Sequence, residues 1–359
     1  MSNKLLIGIL LFKYGGVKMK RRFLATTLAL ALSATVLAGC GTKQNQQIEP
    51  AKNSGQLEKT MVLYSPNQPE LTNKMVNMFK EKTGVEIQVI TGGTGELLKR
   101  VQSEKDNPQG DVFWAGGAES LEAYKQYFEA YATAEAKNIP AEYQGKGNFW
   151  SGFAALPMVI VYNKEMVPAD KVPQGWADLL NPEWKGKISF TDPNKSGSSY
   201  TQMLTMYAAM GGWDYVQKFV AQLDGKAESS STHVVKKVSD KELPIGITLE
   251  DNAYRYMING SKVDIVYPKE GTSAVPDGMA LIKGAKNVNA AKKFLDFLQS
   301  KEAQEVVAKD LQRRPVRTDV ASPSGLKPLK DIKMVNYDFD MAANKKADNL
   351  AKWKEFFIK

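Results

Sequence analysis

Apolar positions follow two alternating rhythms from Thr60 onward. Met61, Val62, Leu63 and Tyr64 form a short continuous run, and Leu71, Met75, Met78 and Phe79 then recur at helical spacing. The same pair repeats: a strand over 85–90 precedes a helix marked by Leu97, Leu98 and Val101, and a third strand covers 111–114. Further strands are predicted over 158–162, 187–190, 243–248 and 263–267, with helices over 200–210 and 213–223 between them. The stretch 289–310 reads as one long amphipathic helix and 340–358 as the closing one. Strands alternating with helices predict an α/β protein with a parallel, doubly wound sheet. So many strands exceed one comfortable core, and two lobes are expected. No internal repeat is visible.

The start of the chain breaks this rhythm. Lys18, Lys20, Arg21 and Arg22 precede an apolar run from Phe23 to Ala38 that is too short to span a bilayer comfortably, so residues 1–39 read as a signal peptide. A second apolar stretch over 1–17 lies ahead of Met19 and points to Met19 as the true start. The run ends in Leu37, Ala38, Gly39 and Cys40, the only cysteine of the sequence. With no disulfide partner, Cys40 at this spot resembles the bacterial lipobox cysteine, whose thiol is diacylated. Two acyl chains suffice for stable anchoring. Residues 41–59 are polar and free of aromatics, as suits a flexible tether.

Charge adds one exclusion. The full chain carries 48 basic and 39 acidic residues, but six of the basic ones lie in the leader and none of the acidic ones, so the mature chain is only +3. Nothing there argues for nucleic acid. Catalytic signatures are scarce too. A lone histidine, His233, rules out a His-pair zinc site and an HExxH helix, and no Walker A loop is present. Short β-lactamase-like fragments at 324–327 and 82–84 occur in the wrong order.

What recurs is a small, hydroxyl- and glycine-rich loop after a strand and before a helix. Such loops contain Ser65 and Asn67, Thr94 and Gly95, and Gly116 and Gly117; later ones hold Ser196, Ser198 and Ser199, then Ser230, Ser231 and Thr232. In an open α/β sheet these loops lie at the carboxyl ends of the strands, where ligands bind. Helix N-termini offer free N–H groups and a positive dipole end, so they favour an anion. Each Ser or Thr would equally serve to cap its own helix, but five loops together favour a site. Glu250 and Asp251 open a helix after an apolar strand; they either complement its dipole or accept hydrogen bonds from a ligand.

The stretch from Trp176 to Ile188, with Asp192, Pro193 and the serines of 196–199, resembles the ferric-iron-type substrate-binding proteins of ABC importers. The resemblance continues through 91–98, 111–117, 267–272, 276–278, 287–307 and 315–317. It implies a two-lobed type II periplasmic-binding fold: residues 60–153 with 268–359 form one lobe, residues 154–267 the other, and two crossover strands act as a hinge. It also implies a monomer on the outer face of the membrane that passes its ligand to a membrane permease, with no cofactor, no metal centre and no covalent chemistry. Ferric binders of this family usually place adjacent tyrosines where this chain has residues 249–252, and a histidine where it has Asn67 and Gln68. Tyr254 and Tyr256 are separated by one residue and point to different sides of a helix. Ferric iron is therefore the alternative ligand. The chain instead resembles relatives that take up phosphorylated organic solutes such as hexose phosphates or 2-aminoethylphosphonate. The implied cradle is Thr94, residues 196–199 and residues 230–232, with His233 adding a hydrogen bond and Glu250 and Asp251 holding hydroxyls or an amine.

Overall fold

The computed structural model describes residues 55–358. The leader, Cys40 and most of the tether lie outside them. The chain opens with β1 (Thr60–Ser65), α1 (Pro69–Thr83), β2 (Glu86–Thr91), α2 (Thr94–Ser103), β3 (Val112–Gly117) and the short α3 (Ala118–Ala123). β4 (Phe128–Glu129), β5 (Ser151–Ala155), β6 (Met158–Asn163) and β7 (Ile188–Ser189) follow. Next come α4 (Gly197–Ala209), α5 (Trp213–Gln222), α6 (Thr232–Ser239), β8 (Ile245–Leu249), α7 (Glu250–Ile258) and β9 (Val263–Val266). The chain closes through β10 (Pro276–Ile282), α8 (Val288–Leu298), α9 (Lys301–Lys309), β11 (Arg314–Pro315), α10 (Phe339–Asn344) and α11 (Lys346–Ile358).

Two sheets result. One has the order β11-β5-β10-β3-β1-β2, with β4 on β10; the other runs β7-β8-β6-β9. Parallel pairing, expected from the alternation, is limited to β1 with β2 and β3 in the first sheet and β7 with β8 in the second. β10 lies antiparallel between β3 and β5, and β6 is antiparallel to both β8 and β9. The expectation of a parallel sheet is thus corrected to a mixed one. Single helical crossovers join β1, β2 and β3 and keep them parallel, whereas β6 runs straight out of β5 into the second sheet and β10 returns from it, so these strands run the other way.

The chain leaves the first sheet after β5 and returns to it before β10. The outgoing and returning segments are bonded to each other, because the Thr272 hydroxyl donates to the Met158 carbonyl (2.6 Å) and the Met158 N–H to the Ser273 carbonyl (3.2 Å). Each sheet has its own core. Phe79 of α1, Trp114 of β3 and Phe294 of α8 pack edge to face in the first, with ring centroids 5.1 and 5.9 Å apart. In the second, Phe190 meets Phe219 of α5 at 5.2 Å and Trp353 of α11 at 5.5 Å. The last helix therefore seals the core of the second sheet, although the strand before it, β11, belongs to the first.

The predicted helix 289–310 is two helices, because Ser300 turns to an extended ψ of 152° and its hydroxyl accepts from the Ala303 N–H to start α9. The closing helix likewise breaks at Lys345 between α10 and α11. Among the described residues no helix is long and apolar enough to cross a membrane.

Candidate functional site

A cavity of about 340 Å³ opens between the loops of the two sheets. From the first sheet it is lined by the loop after β1 (65–69), the loop after β2 (91–94) and the turn after β3 (115–117); from the second, by 195–198 and 229–232. α2, α4 and α6 all begin on this cavity. Gly93 stands at the N-cap of α2 and Ser231 at that of α6, and neither caps its helix through a side chain. First-turn N–H groups of α2 are thus left for another acceptor, whereas in α6 those of Thr232, His233 and Val234 already donate to Ser230 Oγ (3.4 Å), the Ser230 carbonyl (3.1 Å) and the Ser231 carbonyl (3.3 Å). Ser196 does cap α4, its hydroxyl accepting from the Ser199 N–H at 3.3 Å, while Ser198 Oγ lies 2.9 Å from Ser196 Oγ.

Close approach of backbone shapes the cradle. A Cβ on Gly93 would lie 2.6 Å from the Lys195 carbonyl oxygen, and one on Gly197 2.9 Å from Thr94 Oγ1. The loop after β2 and the loop before α4 therefore touch through glycine. Ala115 adopts φ +115° and Gly116 φ +88° where β3 ends on the cavity wall. The alanine is strained there, a feature that clusters at ligand sites.

Of the residues expected from sequence, Ser65, Asn67, Thr94, Ser196, Ser198, Ser230, Ser231 and Thr232 line the cavity. Gly95, Ser199, His233, Glu250 and Asp251 do not. His233 is exposed on α6. Ser65 and Asn67 also stitch β1 to β3: the Ser65 hydroxyl donates to the Trp114 carbonyl (2.9 Å), and the Asn67 N–H donates to Ser65 Oγ (3.3 Å). Glu250 is only 2% exposed and is wholly occupied: Arg314 donates to it through Nε at 2.6 Å and a second nitrogen at 2.8 Å, and the Tyr267 hydroxyl donates at 2.5 Å. Burial, then the Glu250 charge, drives the Tyr267 phenol far above its usual range.

Asp251 accepts from Arg313 Nε at 2.7 Å. Arg313 does line the cavity; it also donates to Asp277 (2.9 Å) and Asn67 Oδ1 (3.4 Å). One guanidinium thus sits between two carboxylates, and burial, helped by the charge of Asp251 and opposed by Arg313, pushes the Asp277 carboxyl up to about 6. Sequence reasoning missed Arg313, Asp277, Lys195, Thr201, Gln68 and Asn252. The last two bridge the elements, Gln68 Nε2 donating to Asn252 Oδ1 at 2.6 Å. The available signal was Arg313-Arg314 on an extended segment, where successive side chains face opposite ways. Among the described residues no group of three or more His, Cys, Asp or Glu is gathered for a metal.

A profile of bacterial extracellular solute-binding proteins matches residues 112–345. Iron uptake protein A1 of Synechocystis is 24% identical over 94% of this chain and 99% of its own. A periplasmic protein of Salmonella typhimurium, provisionally named for 2-aminoethylphosphonate binding, is 27% identical over 67% of this chain and 73% of its own. Among solved structures, the periplasmic binding protein AfuA of Actinobacillus pleuropneumoniae with fructose-6-phosphate bound superposes with TM-score 0.78 and 25% identity, covering 84% of this chain and 99% of AfuA. Iron-bound HitA of Pseudomonas aeruginosa superposes with TM-score 0.74 at 18% identity, covering 83% and 99% of the two chains.

Proposed function

The chain belongs to the bacterial extracellular solute-binding proteins and has the type II periplasmic-binding fold; from that premise we propose that it captures a phosphate-containing organic solute for an ABC importer. The observation that carries this reading is the convergence of the α2, α4 and α6 N-termini on one cavity, together with Thr94, Ser196, Ser198, Ser230, Ser231 and Thr232. Neutral N–H and O–H donors satisfy phosphate oxygens, and the dipole ends add positive potential without a metal. Lys195 supplies a full charge on the same wall. Asn67, Asn252, Asp277 and Arg313 then hold the organic part, while Glu250 and Asp251 act one step back by fixing Arg314 and Arg313. The reading is also supported by the sugar phosphate in AfuA and by the name of the Salmonella relative.

In this reading the paired segments 156–157 and 267–275 are the hinge, the first sheet anchors one lobe, and the second sheet with α11 anchors the other. Closure of the lobes around the solute gives the permease its signal. The molecule works as a monomer and not as an enzyme, and Cys40 is its lipid anchor on the outer face of the membrane. Cys40→Ser then moves the protein from the detergent phase to the aqueous phase, and partitioning that stays unchanged places the anchor elsewhere.

Calorimetry with glucose 6-phosphate, 2-aminoethylphosphonate and ferric citrate tests the ligand class. Binding of either phosphorus compound, weakened about ten- to a hundredfold by Ser198→Ala, is expected. Tight ferric binding with no response to the other two would replace this reading by iron uptake, the function named for the Synechocystis relative.

A further inference from the structure

Behind the cavity lies an acidic residue that the binding site does not touch directly. Glu119 of α3 is fully buried, and its Oε1 lies 2.5 Å from Oγ1 of Thr201, a residue of α4 that lines the cavity. Its other oxygen, Oε2, has no hydrogen-bond partner. A side chain on Gly117, itself on the cavity wall, would come within 2.4 Å of that oxygen, so the carboxyl is packed directly under the site. Lys346 of α11 is the nearby cation, but its ammonium donates to Ser120 Oγ (2.9 Å) and lies 3.5 Å over the Tyr200 ring; it makes no ion pair with Glu119 among the described residues.

An ionised carboxylate in this position would be a buried charge with one hydrogen bond and one bare oxygen, which is costly. A protonated one buries no charge, and its single proton has Thr201 Oγ1 as acceptor. The direction of that bond matters to the cavity. A threonine hydroxyl has one proton; if it is spent on a carboxylate, Thr201 meets a bound anion with lone pairs only. If Glu119 donates, the Thr201 proton is released from the carboxylate, and an anion then competes for it only with the Gly197 carbonyl, 3.2 Å from Thr201 Oγ1.

We infer that Glu119 is a positioning residue that holds its proton at neutral pH and donates it to Thr201, so that Thr201 in turn donates to an anionic ligand. This rests on the anion reading of the cavity given above. Burial raises the Glu119 carboxyl, with Lys346 and Thr201 opposing, in the direction the role requires. The other titratable groups packed around it do not substitute for it. Tyr200 and Tyr337 are held above their usual range by burial, and Lys346 is lowered to about 8 by burial. Asp277 of β10 is committed to Arg313, and Asp340 of α10 is exposed.

Two measurements on the full chain test this. Infrared spectroscopy of the ligand-free protein at neutral pH should show a protonated-carboxyl band that Glu119→Gln removes and Thr201→Val shifts, since the acid loses its acceptor. Absence of that band, or its persistence in Glu119→Gln, overturns the proposal whether or not any ligand binds. Calorimetry with glucose 6-phosphate at rising pH should show wild-type affinity falling about tenfold or more as Glu119 ionises. Glu119→Gln, which keeps a donor, should lose that part of the fall, leaving the slope that the phosphate, Asp277 and Lys346 cause in both proteins. Identical slopes in the two proteins refute the coupling. Failure of glucose 6-phosphate, 2-aminoethylphosphonate and inorganic phosphate to bind the wild type rejects the anion reading instead, and the infrared band then decides Glu119 alone.

Discussion

Glu250→Gln separates a residue that builds the site from one that touches the ligand. The carboxylate takes two hydrogen bonds from Arg314 and one from Tyr267, and both members of the Arg314 pair are only 2% exposed. Glutamine keeps the size and one acceptor, but it removes the charge and turns an NH₂ group toward donors of Arg314 or Tyr267. Arg314 retains the Lys327 carbonyl at 2.5 Å as a partner, yet its charge is left uncompensated in the interior. Breaking a buried pair in this way costs about 3 to 5 kcal/mol. That is a large share of a total stability of about 5 to 15 kcal/mol. With a urea dependence of about 3 kcal/mol/M, fitting for a domain of this size, the unfolding midpoint should drop by about 1 M or more. Affinity for glucose 6-phosphate should stay within about threefold, because Glu250 does not line the cavity and independent sites act additively. Urea unfolding followed by tryptophan fluorescence, with calorimetry on the same samples, reads both quantities. An unchanged midpoint together with lost affinity would refute the reasoning and make Glu250 a ligand contact.

Asp277 should leave a signature in pH. Its folded carboxyl titrates at about 6, above its ordinary value, so its contribution to stability is fully present below about pH 4 and is lost as pH rises through 6. Wild type should therefore gain stability relative to Asp277→Asn as pH is lowered from about 6 to 4, and parallel curves would deny the shift. Gly93→Ala should force the loop after β2 away from the Lys195 carbonyl, since the new Cβ would lie 2.6 Å from that oxygen. Small-angle scattering with saturating glucose 6-phosphate should find the variant more open than wild type, and an identical compact form would show that the loops part at no cost.

The sequence made the local alternation legible but not its closure. Apolar runs at 61–64 and 111–114 mark β1 and β3 because both are buried in the first sheet. β10 lies between β3 and β5 in the same sheet and is buried along its whole length, yet it opens Pro276-Asp277-Gly278 and carries no strand signal in its first half. Its register shifts where Asp277 meets Gly117 and Ala154, so this irregular start is the price of carrying Asp277 to the cavity wall. The candidate site divides in the same way. Its serine and threonine loops were visible because each precedes a helix, and local spacing places a helix N-terminus. Arg313 was not, because what places it is a set of partners distant in sequence, Asp251, Asp277 and Asn67, brought together only when both sheets have formed. Glu250 illustrates the same limit from the other side. Its position at a helix start was correctly read from Leu249-Glu250-Asp251, but a carboxylate with no visible partner in sequence was assigned to the ligand, when Arg314, 64 residues away, had already claimed both oxygens. A charged residue at a strand end is thus informative about a ligand only after its possible long-range ion pairs are counted, and here that count moves the charge facing the cavity from Glu250 to Arg313 and Asp277.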